Sequence, residues 1–441
     1  MNQINHKIWG IAWPAILSNI SIPLLGLVDA AILGHLGSTQ YLGAVAIGGA
    51  LLSFLYWGFS FLRMGTTGLV AKAMGAGNEL GATLILAQSS LLALALALAV
   101  IALHPLWLGL GFTLMSAQAG ISLLAESYAT IRIGSAPAVL VTYAIVGWFI
   151  GRQNTRWPMV IVIITNALNI ALDFLFIIEL QMFSDGAAIA TVIAEYTGCA
   201  LALYGVWRTL PMAPDRAFYA QLKRWSAYQQ LLRSNTSLFV RTMCLLFSFA
   251  FFVAMGDKLG SDVLAANTLM MQLVLMAAYG MDGFAFAAEA LTGTRLGARD
   301  LPGFYQAVRY CSWWCAVSAL FMSLFFALFH PLLFALLTDI TTVKALLGQY
   351  LPWLVILPII AAPSYLLDGV FIGSTETRYM MVTMLFSVFA IYLPLWFATR
   401  ELGNHGLWFA FTVFNGARGL SLYICYIQIS RRGAWLDAAK I

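Results

Sequence analysis

The stretch GWFIGRQNTR, residues 147–156, returns 222 positions later as GVFIGSTETR, residues 369–378. The same offset carries GAGN at 75–78 onto GARD at 297–300. A slightly longer one, 226, carries LHPL at 103–106 onto FHPL at 329–332. Motifs recurring in order at a nearly constant spacing indicate a chain built twice. Whatever one half folds into, the other is expected to fold into as well.

The medium for that fold follows from composition. Of the 441 residues, 61% are hydrophobic and only 9% charged, with a mean hydropathy of +0.87. A water-soluble core cannot hide such a fraction, so a lipid bilayer must serve as part of the solvent. The first ten residues, MNQINHKIWG, lead into an apolar run without a small-residue cleavage site, so no secretory leader is expected. Cys199, Cys244, Cys311, Cys315 and Cys425 all sit in apolar runs and form no Cys-x-x-Cys pair, as small buried hydrophobes do. The net charge of +5 is modest and calls for no nucleic-acid partner.

Apolar stretches long enough to cross a ~30 Å hydrocarbon core as helices recur twelve times along the chain. They are predicted near 8–34, 44–71, 84–104, 121–150, 158–180, 186–208, 236–257, 264–291, 309–329, 350–373, 379–399 and 405–430. Basic residues crowd alternate connections, including Lys72, Arg152, Arg156, Arg295, Arg299, Arg378, Arg431 and Arg432. The opposite connections carry only Lys258, Lys344 and Arg400. By the positive-inside rule both termini face the cytoplasm.

The expected fold is an all-α integral membrane protein of two six-helix bundles. The first covers 1–207 and the second 233–441, joined by a polar linker over 208–232. Six spans per copy return the chain to the same side. The copies should therefore be related by a pseudo-twofold axis along the membrane normal, leaving a central cleft that rocking can expose to either face.

Departures from the repeat mark the chemistry. In ITNALNIALDFLFII, residues 164–178, Asn166, Asn169 and Asp173 interrupt an otherwise apolar run. At ~100° per residue they fall within roughly 60° of one another. An offset of 222 places them on Val388, Ile391 and Leu395. Asp29 of the first span corresponds to Phe252, and Thr191 of the sixth to Phe411. Counted from the outer helix ends, Asp29, Asp173 and Thr191 all lie roughly 8–10 Å deep at ~1.5 Å per residue.

Three helices thus deliver polar groups to one level of the first bundle only. An ionised carboxylate is costly at that depth, whereas amides and a hydroxyl can hydrogen-bond either protonation state. A group so placed can take a proton outside and release it inside. The competing account makes the two aspartates helix caps in wet headgroups, the amides interhelical glue and Thr191 a hydroxyl bonded to its own helix.

Pro14 and Pro23 lie in the first span and predict bends there. Pro14 shares its helix with Asp29, so protonation of the acid can bias a kink. Arg63, Asp282, Glu289 and Asp368 form a second set of charges near the cytoplasmic side, suited to an inner gate in which Arg63 and Asp282 pair. Glu195 lies four residues beyond Thr191 and extends the polar cluster inward. No partner for Arg132 or Arg418 can be assigned from sequence.

The pattern speaks against an enzyme. His6, His35, His104, His330 and His405 lie near span ends without metal-ligand spacing, and neither His-Glu-x-x-His nor Gly-x-Ser-x-Gly occurs. No metal site and no cofactor are expected. A twelve-span sugar carrier would want a densely basic connection between spans two and three, where this chain has AKAMGAGNELGA.

Several segments resemble the multidrug and toxic compound extrusion (MATE) transporters, and among them the DinF-like branch. They are SIPLLGLVDAAILGHLGSTQYLGAVAIG, FLRMGTTGLVAKAMGAGN, LDGVFIG and GAAIATVIAEY. The similarity covers essentially the whole chain. It implies a secondary antiporter in a bacterial inner membrane, acting as a monomer. Such an antiporter exports amphipathic organic cations in exchange for protons or sodium.

Residues implicated in related members match Asp29, Asn169, Asp173 and the bend at Pro14, and Thr191 resembles a hydroxyl of the same cluster. Some relatives have Gln and Tyr in the turns before the first-span aspartate, where this chain has Ile22 and Leu25. Fewer oxygen ligands favour protons over a weak sodium site at Asp29, Asn169, Asp173 and Thr191. Relatives of the other branch use acids in the second bundle, of which Asp368 resembles a remnant, and this leaves the ion open. The alternative is a lipid-carrier flippase of the wider superfamily, which would want several basic residues in the cavity.

Overall fold

The computed structural model describes residues 2–34, 39–115, 119–210 and 216–439, except the side chains of some helical residues, Asp29 among them. His35 and part of the predicted linker, 211–215, lie outside the described residues. Every regular element described is helical. The first half of the chain comprises α1 (Asn2–Gly34), α2 (Thr39–Gly58), α3 (Phe61–Gly75), α4 (Glu79–Ala102), α5 (His104–Met115), α6 (Ala119–Ile133), α7 (Ala136–Gly151), α8 (Arg156–Asp173) and α9 (Phe183–Thr209). After the short α10 (Arg216–Leu222) come α11 (Gln229–Asp257), α12 (Ser261–Gly297), α13 (Leu301–Leu337), α14 (Thr341–Gly373), α15 (Thr377–Phe386), α16 (Leu393–Thr399) and α17 (Asn404–Arg431).

All twelve predicted spans are helical. Among the described residues ten helical stretches are long and apolar enough to cross a bilayer, and α6 with α7, bent by 52°, makes an eleventh. The twelfth, α17, is less apolar because it buries Asn404, Asn415 and Arg418. Two spans contain a π turn, Phe174–Glu179 directly after α8 and Ser387–Tyr392 between α15 and α16. Such a turn holds one residue more than an α turn and is frequent at functional sites.

The chain divides into two compact units. One comprises Leu17–Val70 and Asn78–Leu231; the other comprises Met1–Ile16, Ala71–Gly77 and Leu232–Ile441. These bounds differ from a cut at the linker. The start of α1 belongs with the second half because Trp9 packs edge-on against Phe284 and Trp314, at 5.3 and 5.1 Å between ring centroids. Gly283 of α12 also sits directly on the Ala12 carbonyl. The C-terminal end of α3 follows for a similar reason: Gly75 lies against the Thr294 backbone and Gly297 against the Lys72 backbone. These two contacts are each other's image under the 222-residue offset.

The repeat is written into the packing of each unit. In the first, Gly147 and Gly151 of α7 lie on the carbonyls of Arg63 and Thr67. In the second, Gly369 and Gly373 of α14 lie on the carbonyls of Ala285 and Glu289. A side chain at any of these glycines would enter the neighbouring backbone, so only glycine lets the helices approach this closely.

Each of these helices ends in the same turn. Gln153 and Thr375 take the left-handed conformation, at φ 61° and 58°. The following amides reach back to close a 6→1 bond, Asn154 to Phe149 at 2.9 Å and Glu376 to Phe371 at 3.0 Å. GAGN and GARD also correspond: Asn78 and Asp300 both cap the next helix, accepting from Gly81 and Gly303 at 2.8 and 2.9 Å. His104 and His330 likewise both face carbonyls of the preceding turn, Ile101 and Ala327.

Gly369→Leu is expected to abolish accumulation of folded protein. Gln153→Gly should act the other way and raise the melting temperature in detergent, because the left-handed conformation costs a non-glycine residue about 1 kcal/mol. A lower melting temperature for Gln153→Gly would contradict the strain assigned to that turn.

Candidate functional site

The polar stripe of the fifth span is carried by α8, which ends at Asp173 where the π turn begins. Asn169 and Asp173 are each only 1% exposed, and Asn166 is half-buried. The Asn169 amide donates to the Thr191 hydroxyl on α9 at 3.2 Å. Thr191 in turn donates to the Ala187 carbonyl of its own helix at 2.9 Å, which leaves its oxygen free to accept from Asn169. The buried Asn169 Oδ1 has no hydrogen-bond partner among the described residues. One turn earlier, Asn166 donates at 3.2 Å to both the carbonyl and the hydroxyl of Ser21 on α1. Side-chain hydrogen bonds thus tie α8 to α1 and to α9 around a buried acid. Asp29 belongs to α1 by its backbone, and its side chain lies outside the described residues.

Glu195 lies one turn along α9 from Thr191, in a second polar layer. Its carboxylate accepts from Arg132 at 3.1 Å, and Arg132 also donates to the Tyr128 hydroxyl at 3.1 Å. The layer sits at the break between α6 and α7, where carbonyls are released from the helix. Tyr196 donates to the Gly134 carbonyl at 2.9 Å and Ser135 to that of Arg132 at 2.7 Å. The Tyr56 hydroxyl, from α2, adds a longer contact to the Arg132 carbonyl at 3.3 Å. The pairing of Arg132 with Glu195 joins residues 63 positions apart on different helices. No local spacing announces it, and sequence reasoning did not find it.

At the equivalent level the second unit is aromatic. Phe252 and Phe411, the counterparts of Asp29 and Thr191, lie 5.1 Å apart between ring centroids, and Trp408 meets Phe252 at 4.9 Å. Two amides buried near this cluster satisfy each other, whereas the buried Tyr392 hydroxyl beside Phe411 has no hydrogen-bond partner among the described residues. Asn267 and Asn404 exchange amide hydrogen bonds at 2.7 and 2.9 Å, and Trp408 donates to Asn267 at 2.8 Å.

The predicted gate residues are distributed as follows. Arg63 belongs to the first unit, within electrostatic reach of Tyr143. Asp282 belongs to the second, within electrostatic reach of Tyr365 and Cys315. Asp368 is held inside the second unit by two guanidiniums, Arg241 of α11 and Arg418 of α17, the latter at 2.9 Å. Arg418 also donates to Asn415 at 3.1 Å. Sequence reasoning missed Arg241 altogether, since nothing in its neighbourhood distinguishes it from a basic residue at a span end.

Pro14 and Pro23 both lie within the continuous α1, Pro14 buried and Pro23 exposed. The handover of α1 from one unit to the other falls at Ile16, two residues after Pro14. Among the described residues no three His, Cys, Asp or Glu side chains gather as a metal site would require.

Comparison with known proteins agrees with this architecture. The family model described as MatE matches the chain twice, over residues 14–175 and 238–397, once in each half. DNA damage-inducible protein F of Escherichia coli (strain K12) is 38% identical over 438 residues, covering 99% of this chain and 95% of that protein. Multidrug and toxin extrusion protein 1 of Pongo abelii is 25% identical, covering 98% of this chain and 75% of its own length.

Among solved structures, the Vibrio cholerae MATE transporter VcmN aligns with a TM-score of 0.87 at 22% identity, covering 98% of each chain. A MATE crystal structure in the bent conformation aligns at 0.86 and 20% identity, covering all of this chain and 98% of that one. A sequence that repeats itself, is matched once per repeat by one family model and shares its fold with MATE transporters over its whole length belongs to the MatE family of membrane transporters.

Proposed function

We propose that this protein is a secondary antiporter of a bacterial inner membrane, exporting amphipathic organic cations in exchange for protons taken up by Asp29 and Asp173. The observation that carries this reading is the buried carboxylate of Asp173, one turn from an amide whose oxygen has no hydrogen-bond partner among the described residues, at a level where the second unit is aromatic. Deprotonated, the acids make the first unit attractive to a cation. Protonated from outside, they lose that attraction and the cation leaves. Asn169 and Thr191 hold the carboxylate's surroundings polar in both states, because an amide can donate to an anion and accept from an acid.

Pro14 supplies the mechanical element. It removes a backbone hydrogen bond close to the point where α1 passes between units, so α1 can bend there when Asp29 changes charge. A related protein was solved in a conformation described as bent, which supports the reading by analogy. Arg63 and Asp282 would close the inner side while the outer side is open, and both termini would lie in the cytoplasm. Glu195, paired with Arg132, would extend the polar cluster inward from Thr191.

A flippase of the wider superfamily would need uncommitted cations for a pyrophosphate headgroup. Arg241 and Arg418, the buried arginines of the second unit, are both committed to Asp368. That observation favours cation export. Pongo abelii multidrug and toxin extrusion protein 1 is a named relative on which the drug-export reading leans.

Efflux of a fluorescent organic cation from proteoliposomes, under separately imposed gradients, tests the proposal. An inward proton gradient should drive efflux and a sodium gradient alone should not; efflux under sodium alone would overturn the choice of ion.

Asp29→Asn and Asp173→Asn should each abolish proton-driven efflux while leaving the melting temperature near that of the parent. Normal efflux by either would remove that acid from the mechanism. Asp368→Ala should behave oppositely. Stranding two buried guanidiniums costs about 3–5 kcal/mol, so folding should suffer first, as read by detergent melting.

A further inference from the structure

The second unit contains a groove of about 730 Å³ between α13, α14 and α17. Its floor is made of small or kinked residues, among them Ala319, Ala362, Pro363, Gly416 and Gly419. Its rim is aliphatic and open: Leu320 and Leu420 are 61% and 62% exposed. On a helix that crosses a bilayer, such exposure means contact with hydrocarbon. A convex apolar surface there needs no explanation. A concave one forfeits contacts with lipid unless a chain enters it.

The dimensions match one kind of chain. The lining residues of α13 run from Val308 to Leu320 and those of α17 from Gly416 to Tyr426. At ~1.5 Å per residue these are roughly 15–18 Å, about half of the ~30 Å hydrocarbon core and so the reach of one leaflet. The two ends of the groove differ. Leu320, Ile359 and Gly416 mark the deep end. Ser312, Tyr423 and Tyr426 carry the lining hydroxyls and lie toward the other end, where Tyr305 meets Tyr426 at 6.4 Å.

At that end Arg309 of α13 lies beside the lining residue Val308 and Arg431 of α17 lies past Tyr426, and both arginines are exposed. Among the described residues neither takes part in an ion pair. The positive-inside rule assigns that end to the cytoplasmic leaflet. An apolar slot one leaflet long, ending in hydroxyls and two uncommitted guanidiniums, is complementary to a lipid with a negative headgroup.

We propose that this groove seats one acyl chain of an anionic glycerophospholipid, with its phosphate held at the Arg309 and Arg431 end. The site is independent of the proposed proton and drug chemistry, since every lining residue belongs to the second unit and none to the polar cluster of the first. Ala316, exposed on the groove wall, is the place to fill it, because a larger side chain there displaces lipid and not protein.

The test is native mass spectrometry of the full-length protein with dioleoyl phosphatidylglycerol or dioleoyl phosphatidylcholine added in equal amounts. Phosphatidylglycerol should be retained about tenfold better or more, as two surface arginines provide. Arg309→Gln combined with Arg431→Gln should erase that preference, and Ala316→Phe should lower retention of phosphatidylglycerol. Equal retention of the two lipids by the parent protein would overturn the proposal, as would unchanged retention in Ala316→Phe.

A measurement on the unmodified protein guards against a misfolded variant. A photoactivatable acyl chain on phosphatidylglycerol should label peptides from 308–320 and 416–426. Labelling elsewhere only, or displacement of the label by an organic cation such as ethidium, would assign the groove to something other than lipid.

Discussion

The structure depends on how closely two helices can approach inside a medium that offers no water. In hydrocarbon there is no hydrophobic gain from pressing apolar helices together, so association rests on contact area and on small residues that admit it. The glycines of α7 and α14 meet that constraint by lying directly on carbonyls of α3 and α12. The same two pairs of contacts recur at the same offset, and each helix then stops in the same left-handed turn. Once this crossing is fixed, the neighbouring helices have a frame to pack against, and each half can build its own interior.

Duplication of the frame allows the interiors to diverge. One holds amides, a hydroxyl and a carboxylate tied across α1, α8 and α9. The other fills the equivalent level with Phe252, Trp408 and Phe411. The second unit is not free of charge, but one of its buried carboxylates, Asp368, is held by two arginines from different helices. Burying such a group in a fully paired state costs less than leaving it alone.

Much of this was legible in the sequence, and the reason is physical. Span length, repeat offset and the alternation of basic connections are properties of the chain as a line, and all twelve predicted spans are helical. The stripe of Asn166, Asn169 and Asp173 was legible because helical spacing alone places the three on one side. What was not legible depends on which helices become neighbours. Arg132 and Glu195, or Arg241, Asp368 and Arg418, are separated by 50 or more residues, and nothing local announces their contact. The grouping of the start of α1 and the C-terminal end of α3 with the second half is of the same kind: it is set by Trp9, Gly283 and Gly297, whose contacts no local spacing announces.

The π turn of the eleventh span has a consequence for kinship between the halves. It adds one residue at Ser387–Tyr392, ahead of the place where the fifth span carries its own. Past that point a fixed offset of 222 no longer matches side chains that point the same way. Counting through the insertion moves the partner of Asn169 from Ile391 to Tyr392, and that of Asp173 from Leu395 to Trp396. Tyr392 and Trp396 are buried, whereas Ile391 and Leu395 are partly exposed. Tyr392 also meets Phe411 at 6.2 Å, in the place where Asn169 meets Thr191. An amide–hydroxyl bond in one half is thus answered by a ring–ring contact in the other, and the acid by an indole. The divergence between the ancestral copies involved a slip in backbone register as well as exchanged side chains.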